Sequence, residues 1–196
     1  MNFEEFKHQL KDCRYCQRFG IEPKPFVGKE KSEKSAKIVQ VSQQPSKSAS
    51  ESGIPFSDQS GRKLIEKWYR IPRELFDNPK LFYITGMAHC YGPDNVAKQL
   101  WQTCSKKWLE QELSFLDPRL YIIIGKPAAM FLAKFFFPDK KFTKLDELVF
   151  QNLEWKNRTV FVLPHPSPRS KWPTDNPEFE TKRMPDIRRT LHEALQ

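Results

Sequence analysis

The sequence contains no apolar run approaching the roughly 18 residues that a membrane-spanning helix needs. "LYIIIG" (120 to 125) is strand-sized, so no membrane partner is expected. The first ten residues, "MNFEEFKHQL", lack the basic start and apolar core of a secretory signal and read as acidic and amphipathic. The expectation is a cytoplasmic protein, nucleoid-associated if bacterial. Cysteine is scarce, at four copies. In a reducing compartment those four are metal ligands or free thiols rather than disulfides. No internal repeat divides the 196 residues, and the length fits one domain spanning 1–196 with a substantial core. Acidic residues are outnumbered, 24 against 33 Lys and Arg, which leaves a net charge of +9. An excess of that size suggests an anionic partner, nucleic acid being the commonest, against the alternative of a merely basic solvated surface.

What is present is an alternation. Four short apolar runs, "KIVQVS" (37 to 42), "LFYITG" (81 to 86), "LYIIIG" (120 to 125) and "TVFVLP" (159 to 164), are rich in β-branched and aromatic residues. Strands covered on both faces have this composition. Helical patterns lie between them at 60–70, 97–116 and 127–137, and another closes the chain at 184–195. The expected fold class is therefore α/β, a three-layer sandwich with a central four-stranded, mostly parallel sheet and helices on both faces. Such sheets place their sites beyond the carboxyl ends of the strands. The segments there, "SQQPSKSASESGIPFSDQSG", "GMAHCYGPDN", "GKPAA" and "HPSPRSKW", are polar and rich in Pro and Gly. The Lys- and Pro-dense stretch 22–37 reads as a solvated connection into the first strand.

Two features in these loops carry chemistry. In "VLPHPSPRSKW" (162 to 172), Pro164, Pro166 and Pro168 stiffen the chain around His165, which suits either a fixed functional imidazole or a rigid turn. Cys13 and Cys16 form a C-x2-C pair, while Cys90 and Cys104 stand far along the chain. Four thiolates suit a structural zinc or an iron-sulfur cluster, and spacing alone does not choose between them.

Loops and cysteines together resemble the uracil-DNA glycosylase superfamily, in particular its iron-sulfur branch, family four, and shorter relatives of that branch. In the branch a C-x2-C and two later cysteines hold a [4Fe-4S] cluster, and Cys13, Cys16, Cys90 and Cys104 occupy those places. Its first-strand loop, G-E-A-P-G followed by G-x-P-F, corresponds to "SQQPS" (42 to 46) and "GIPF" (53 to 56), and its last-loop H-P-S to His165, Pro166 and Ser167.

The resemblance implies a monomeric DNA-repair glycosylase that flips uracil or another deaminated base out of single- or double-stranded DNA and hydrolyses its N-glycosidic bond. His165 would be a donor near uracil O2, assisted by the backbone around Gln43 and Gln44, and Phe56 would stack on the base, although it also suits the core. Ser167 would bind a phosphate, with Arg169, Lys171 and Trp172 forming a DNA-penetrating loop or a solvated charged turn.

Two positions depart from the branch, and a third bears comparison with another branch. Gln43 replaces a Glu that helps position water, Gln44 stands where another branch has a catalytic Asp, and Gly86 replaces an Asn that reads the base edge. Asp58 and Glu51 are the carboxylates that could compensate, Asp58 being equally suited to capping a helix. Asn176 reads as a turn residue before Pro177. Two rival functions follow: a non-catalytic iron-sulfur nucleic-acid-binding protein on the same fold, and a zinc-stabilised hydrolase of small nucleotides.

Overall fold

The computed structural model describes residues 1–26 and 34–196. The middle of the connection expected over 22–37 lies outside them. Helix α1 (Phe3–Lys11) opens with a capping box in which Asn2 accepts from the Glu5 amide and Glu5 accepts from the Asn2 amide. A 3-10 turn over Tyr15–Phe19 follows. Strand β1 (Ile38–Ser42) leads to α2 (Lys47–Ser52) and α3 (Gln59–Arg62), which runs on as a wide π segment, Lys63–Tyr69. After α4 (Arg73–Phe76) come β2 (Phe82–Gly86) and α5 (Asp94–Cys104), the latter continuing through Ser105–Leu109 into α6 (Glu110–Ser114). Then follow β3 (Leu120–Ile124), α7 (Lys126–Phe136), α8 (Asp146–Val149), β4 (Leu153–Trp155) and β5 (Arg158–Leu163). Helix α9 (Trp172–Asp175), a π segment over Phe179–Arg183 and α10 (Met184–Leu195) complete the described chain.

The sheet order is β2-β1-β3-β5-β4, with all pairs parallel except β4 with β5. The four apolar runs are its parallel strands. Among the described residues the expected count of four is corrected to five by β4, a three-residue edge strand too short and too exposed to register as an apolar run. It is joined to β5 by Lys156 and Asn157, both with positive φ (50° and 58°), the conformation of a two-residue hairpin turn.

Every residue of β1, β2 and β3 is buried, so both sheet faces are covered. Alternation assigns the layers. Tyr83 and Tyr121, which share a row with Val39, meet Phe3 of α1 and Phe136 of α7. The opposite face carries Gln40 and Phe82, which meet Tyr69 at the end of the α3 extension. Because the chain leaves β1 toward β2 on one side and returns to β3 on the other, a crevice opens where connection direction reverses. Gln43, Gly125 and His165 lie there, just beyond β1, β3 and β5. Among the described residues no helix is long and apolar enough to cross a membrane.

Candidate active site

At the strand ends is a cavity of about 200 Å³ lined by Gln43, Gln44, Phe56, Asp58, Gly86 and His165, among others. A cavity of roughly 150 Å³ is enough for benzene. The volume therefore admits a substituted six-membered ring.

His165 is partly buried, and its orientation is set by its own loop. The Ser167 amide donates to His165 Nδ1 at 3.1 Å. A nitrogen that accepts from an amide carries no proton in the neutral ring, so the proton resides on Nε2, which becomes a donor. Burial lowers the His165 pKa, opposed by the smaller attraction of the Asp58 carboxylate. The imidazole is accordingly neutral at pH 7. Its ring packs beside Gly125, whose φ of +87° and missing side chain admit it: a Cβ there would stand 3.5 Å from His165 Cδ2 and 3.7 Å from Gln43 Nε2.

Phe56 sits on a tightly fastened turn with φ +53°. Arg73 donates to the carbonyls of Pro55 (2.7 Å) and Phe56 (2.8 Å) while its guanidinium is held by Asp77. From the other side Gly61 presses so closely that a Cβ would fall 1.8 Å from the Phe56 carbonyl oxygen. Edge-on contact with Phe76 at 5.9 Å supports the ring, which lines the cavity. Asp58 caps a helix and also faces the cavity. One oxygen caps α3 by accepting from Gly61 at 3.0 Å. Glu51 is exposed on α2 and does not line it.

The positions Gln43, Gln44 and Gly86 divide three ways. The Gln43 side-chain amide makes no protein hydrogen bond among the described residues, while its carbonyl accepts from Ala88 at 2.9 Å. Gln44, although it lines the cavity, has both ends of its amide engaged, donating to the Gly92 carbonyl at 2.8 Å and accepting from the Trp101 indole at 2.7 Å. Gly86 is packed against backbone: an added Cβ would meet the Ala88 oxygen at 3.1 Å and the Gln43 oxygen at 3.3 Å. A side chain there requires those loops to move apart.

Ser167, Arg169, Lys171 and Trp172 lie outside the cavity lining. The Ser167 hydroxyl accepts from the Arg169 amide at 3.2 Å, and Arg169 and Lys171 are exposed. Trp172, expected in a DNA-penetrating loop or a solvated turn, is half-buried. Its indole donates to Asp146 at 2.6 Å and packs on Phe179 and Phe150, so protein contacts already occupy it. Asn176 donates to the Trp172 carbonyl as a turn residue.

The four cysteines line a second, smaller cavity of about 20 Å³. Cys16 and Cys90 are buried with their sulfurs 3.4 Å apart. Burial pushes both thiols above their ordinary range. A metal cation is what would favour the thiolates there. Among the described residues no three metal-ligating side chains already converge on a single ion position.

Sequence reasoning missed a buried network beside them. The Glu112 carboxylate accepts from Tyr83 (2.7 Å), Thr85 (2.8 Å) and His89 (2.9 Å). Burial disfavours charge on His89, but Glu112 and the contact with Cys104 outweigh it and raise the pKa to about 10. The signal available was the acidic Glu112 on the same helix face as Trp108, Leu109 and Leu113 in "WLEQEL", which by itself names no partner.

A family model described as the uracil DNA glycosylase superfamily matches residues 30–188, most of the chain. The match spans all four parallel strands and the strand-end loops that line the larger cavity, Phe26 alone of its lining lying outside it. With that extent of sequence on this fold, the chain belongs to the uracil DNA glycosylase superfamily.

Proposed function

We propose that the protein is a DNA glycosylase that receives uracil or another deaminated base, flipped from DNA, in the cavity at the strand ends. The observation that carries the reading is the 3.1 Å bond from the Ser167 amide to His165 Nδ1, which commits Nε2–H to donation beside a base-sized cavity. Breaking the N-glycosidic bond sends its electron pair to the base and leaves positive charge on the sugar. A neutral imidazole donating to a base carbonyl stabilises the departing anion without needing to transfer a full charge. Phe56 offers a ring face to the base, and its fastened turn limits misplacement.

Water completes the reaction by adding hydroxide to the sugar and a proton to the base. The Gln43 amide, unpartnered among the described residues, would orient that water. Asp58 would stabilise the sugar cation and take the water proton, which then passes through solvent to the base anion, since one of its oxygens alone is used in capping. Arg169 and Lys171 supply exposed positive charge next to the site for phosphates.

Cys13, Cys16, Cys90 and Cys104 would hold a [4Fe-4S] cluster, their common cavity being the support for this over four unrelated thiols; zinc is the alternative occupant. The group would be structural, joining the N-terminal segment to α5 and the loop after β2.

A second reading, DNA binding without cleavage, draws support from the amide at Gln43 and the closed space at Gly86. Oligonucleotides carrying uracil, a thymine mismatch, hypoxanthine or xanthine, treated with protein and then alkali, separate the two. Strand breakage at a lesion supports the glycosylase; tight binding with intact strands supports the binder.

A further inference from the structure

Among the described residues, His89 alone lines both the cavity at the strand ends and the cavity framed by the cysteines. Its side chain is 2% exposed and its two ring nitrogens face different sites. Nε2 stands 2.9 Å from Glu112 Oε2 and 3.2 Å from Thr85 Oγ1, whereas Nδ1 faces Cys104 Sγ at 3.5 Å. The hydroxyl hydrogens of Tyr83 and Thr85 are both directed to the Glu112 carboxylate. Carboxylate and Thr85 oxygen are therefore acceptors toward Nε2, which donates to them. That leaves Nδ1 for the sulfur. The adjoining backbone reaches the other cavity: the His89 carbonyl accepts from Phe26 at 2.6 Å, and Ala88, one residue earlier, donates to the Gln43 carbonyl at 2.9 Å.

We propose that His89 is a positioning residue linking the two sites, orienting the Cys104 sulfur through Nδ1 while Glu112 and Thr85 anchor it through Nε2. A metal group held by the cysteines then fixes the wall of the base cavity. By reciprocity, a base in that cavity steadies the metal group. The inference rests on the reading of the larger cavity as base-binding. Side chains that orient metal ligands commonly change metal affinity by about 10–100-fold when replaced.

Two variants separate the contacts. In His89→Gln the amide nitrogen reaches the place of Nε2 and keeps Glu112 while losing the sulfur; in His89→Asn it reaches the place of Nδ1 and keeps the sulfur. The full chain is loaded anaerobically with iron and sulfide, or separately with zinc, and the loss of metal to EDTA is timed with and without free uracil. His89→Gln is expected to lose metal about tenfold or more faster than wild type, and His89→Asn within roughly threefold of it. Uracil should slow the loss from wild type and leave His89→Gln unaffected. Equal loss from both variants, retention by His89→Gln as long as by wild type, or failure of the chain to take up either metal would overturn the proposal. So would uracil that binds wild type, by equilibrium dialysis, without slowing metal loss. If uracil does not bind wild type, the base-binding reading fails and with it the reciprocal effect, while the comparison of variants still decides the His89–Cys104 link. Should neither variant fold, Glu112→Gln carries the same test, with faster metal loss expected and an unchanged rate overturning the link.

Discussion

Replacing His165 by Asn isolates the one hydrogen bond on which the proposed chemistry depends. An Asn amide reaches the place of Nδ1 and can still meet the Ser167 amide, but nothing reaches the place of Nε2. Loss of one preorganised donor to a developing oxyanion costs about 10²–10³-fold in rate, roughly 2.7–4 kcal/mol. Single-turnover cleavage of a lesion-bearing oligonucleotide should slow by that factor, with DNA affinity unchanged to within about threefold and partial recovery in His165→Gln. The pH profile gives an independent check. Burial depresses the His165 pKa, so the unfolded chain takes up this proton first on acidification. His165 therefore contributes stability above the unfolded histidine value of about 6.5 and loses it as pH falls through its lower folded value. The rate should follow the same sign, level at neutral pH and falling in acid, because imidazolium places a second N–H against the Ser167 amide. A rate that rises on acidification, or an Asn variant as fast as wild type, would refute the reasoning.

Other predictions concern the supports of the site. Gly61→Ala, whose Cβ would fall 1.8 Å from the Phe56 oxygen, should destabilise the protein by roughly 3 kcal/mol in urea unfolding. Trp172→Ala removes contacts with Phe179 and Phe150 and the bond to Asp146, and should cost about 3 kcal/mol of stability, a greater effect than on DNA affinity. The double variant Arg169→Ala, Lys171→Ala should reduce the slope of log affinity against log salt by about 2 while leaving the single-turnover rate at saturation unchanged, since each phosphate contact contributes about 0.9.

The parallel strands were legible because each is buried on both faces and so is apolar throughout. β4 was not, because an edge strand of three residues has no such pattern and its turn uses Lys156 and Asn157 rather than a glycine pair. In the site, the three prolines around His165 revealed a stiff loop, but the tautomer depends on an amide two residues away that only geometry can place. Gln44 was legible as a loop residue; its engagement by Trp101, 57 positions later, was not. The network of Tyr83, Thr85, His89 and Glu112 joins a strand, a loop and a helix, so its members are neighbours in space without any spacing in sequence that marks them. Trp172 reads in sequence as an aromatic residue in a basic loop, and nothing in its neighbours marks the contacts with Asp146 and Phe179 that hold it.

Direct measurement of free nucleobase is the sharpest test of the central claim. Purified protein, with its cysteine site loaded, is incubated with single- and double-stranded oligonucleotides carrying uracil, a thymine mismatch, hypoxanthine or xanthine, and the released base is identified by mass. The account predicts stoichiometric appearance of at least one of these bases with an equal number of abasic sites, and none from undamaged DNA. Folded, metal-loaded protein that binds these DNAs and releases no base would contradict it.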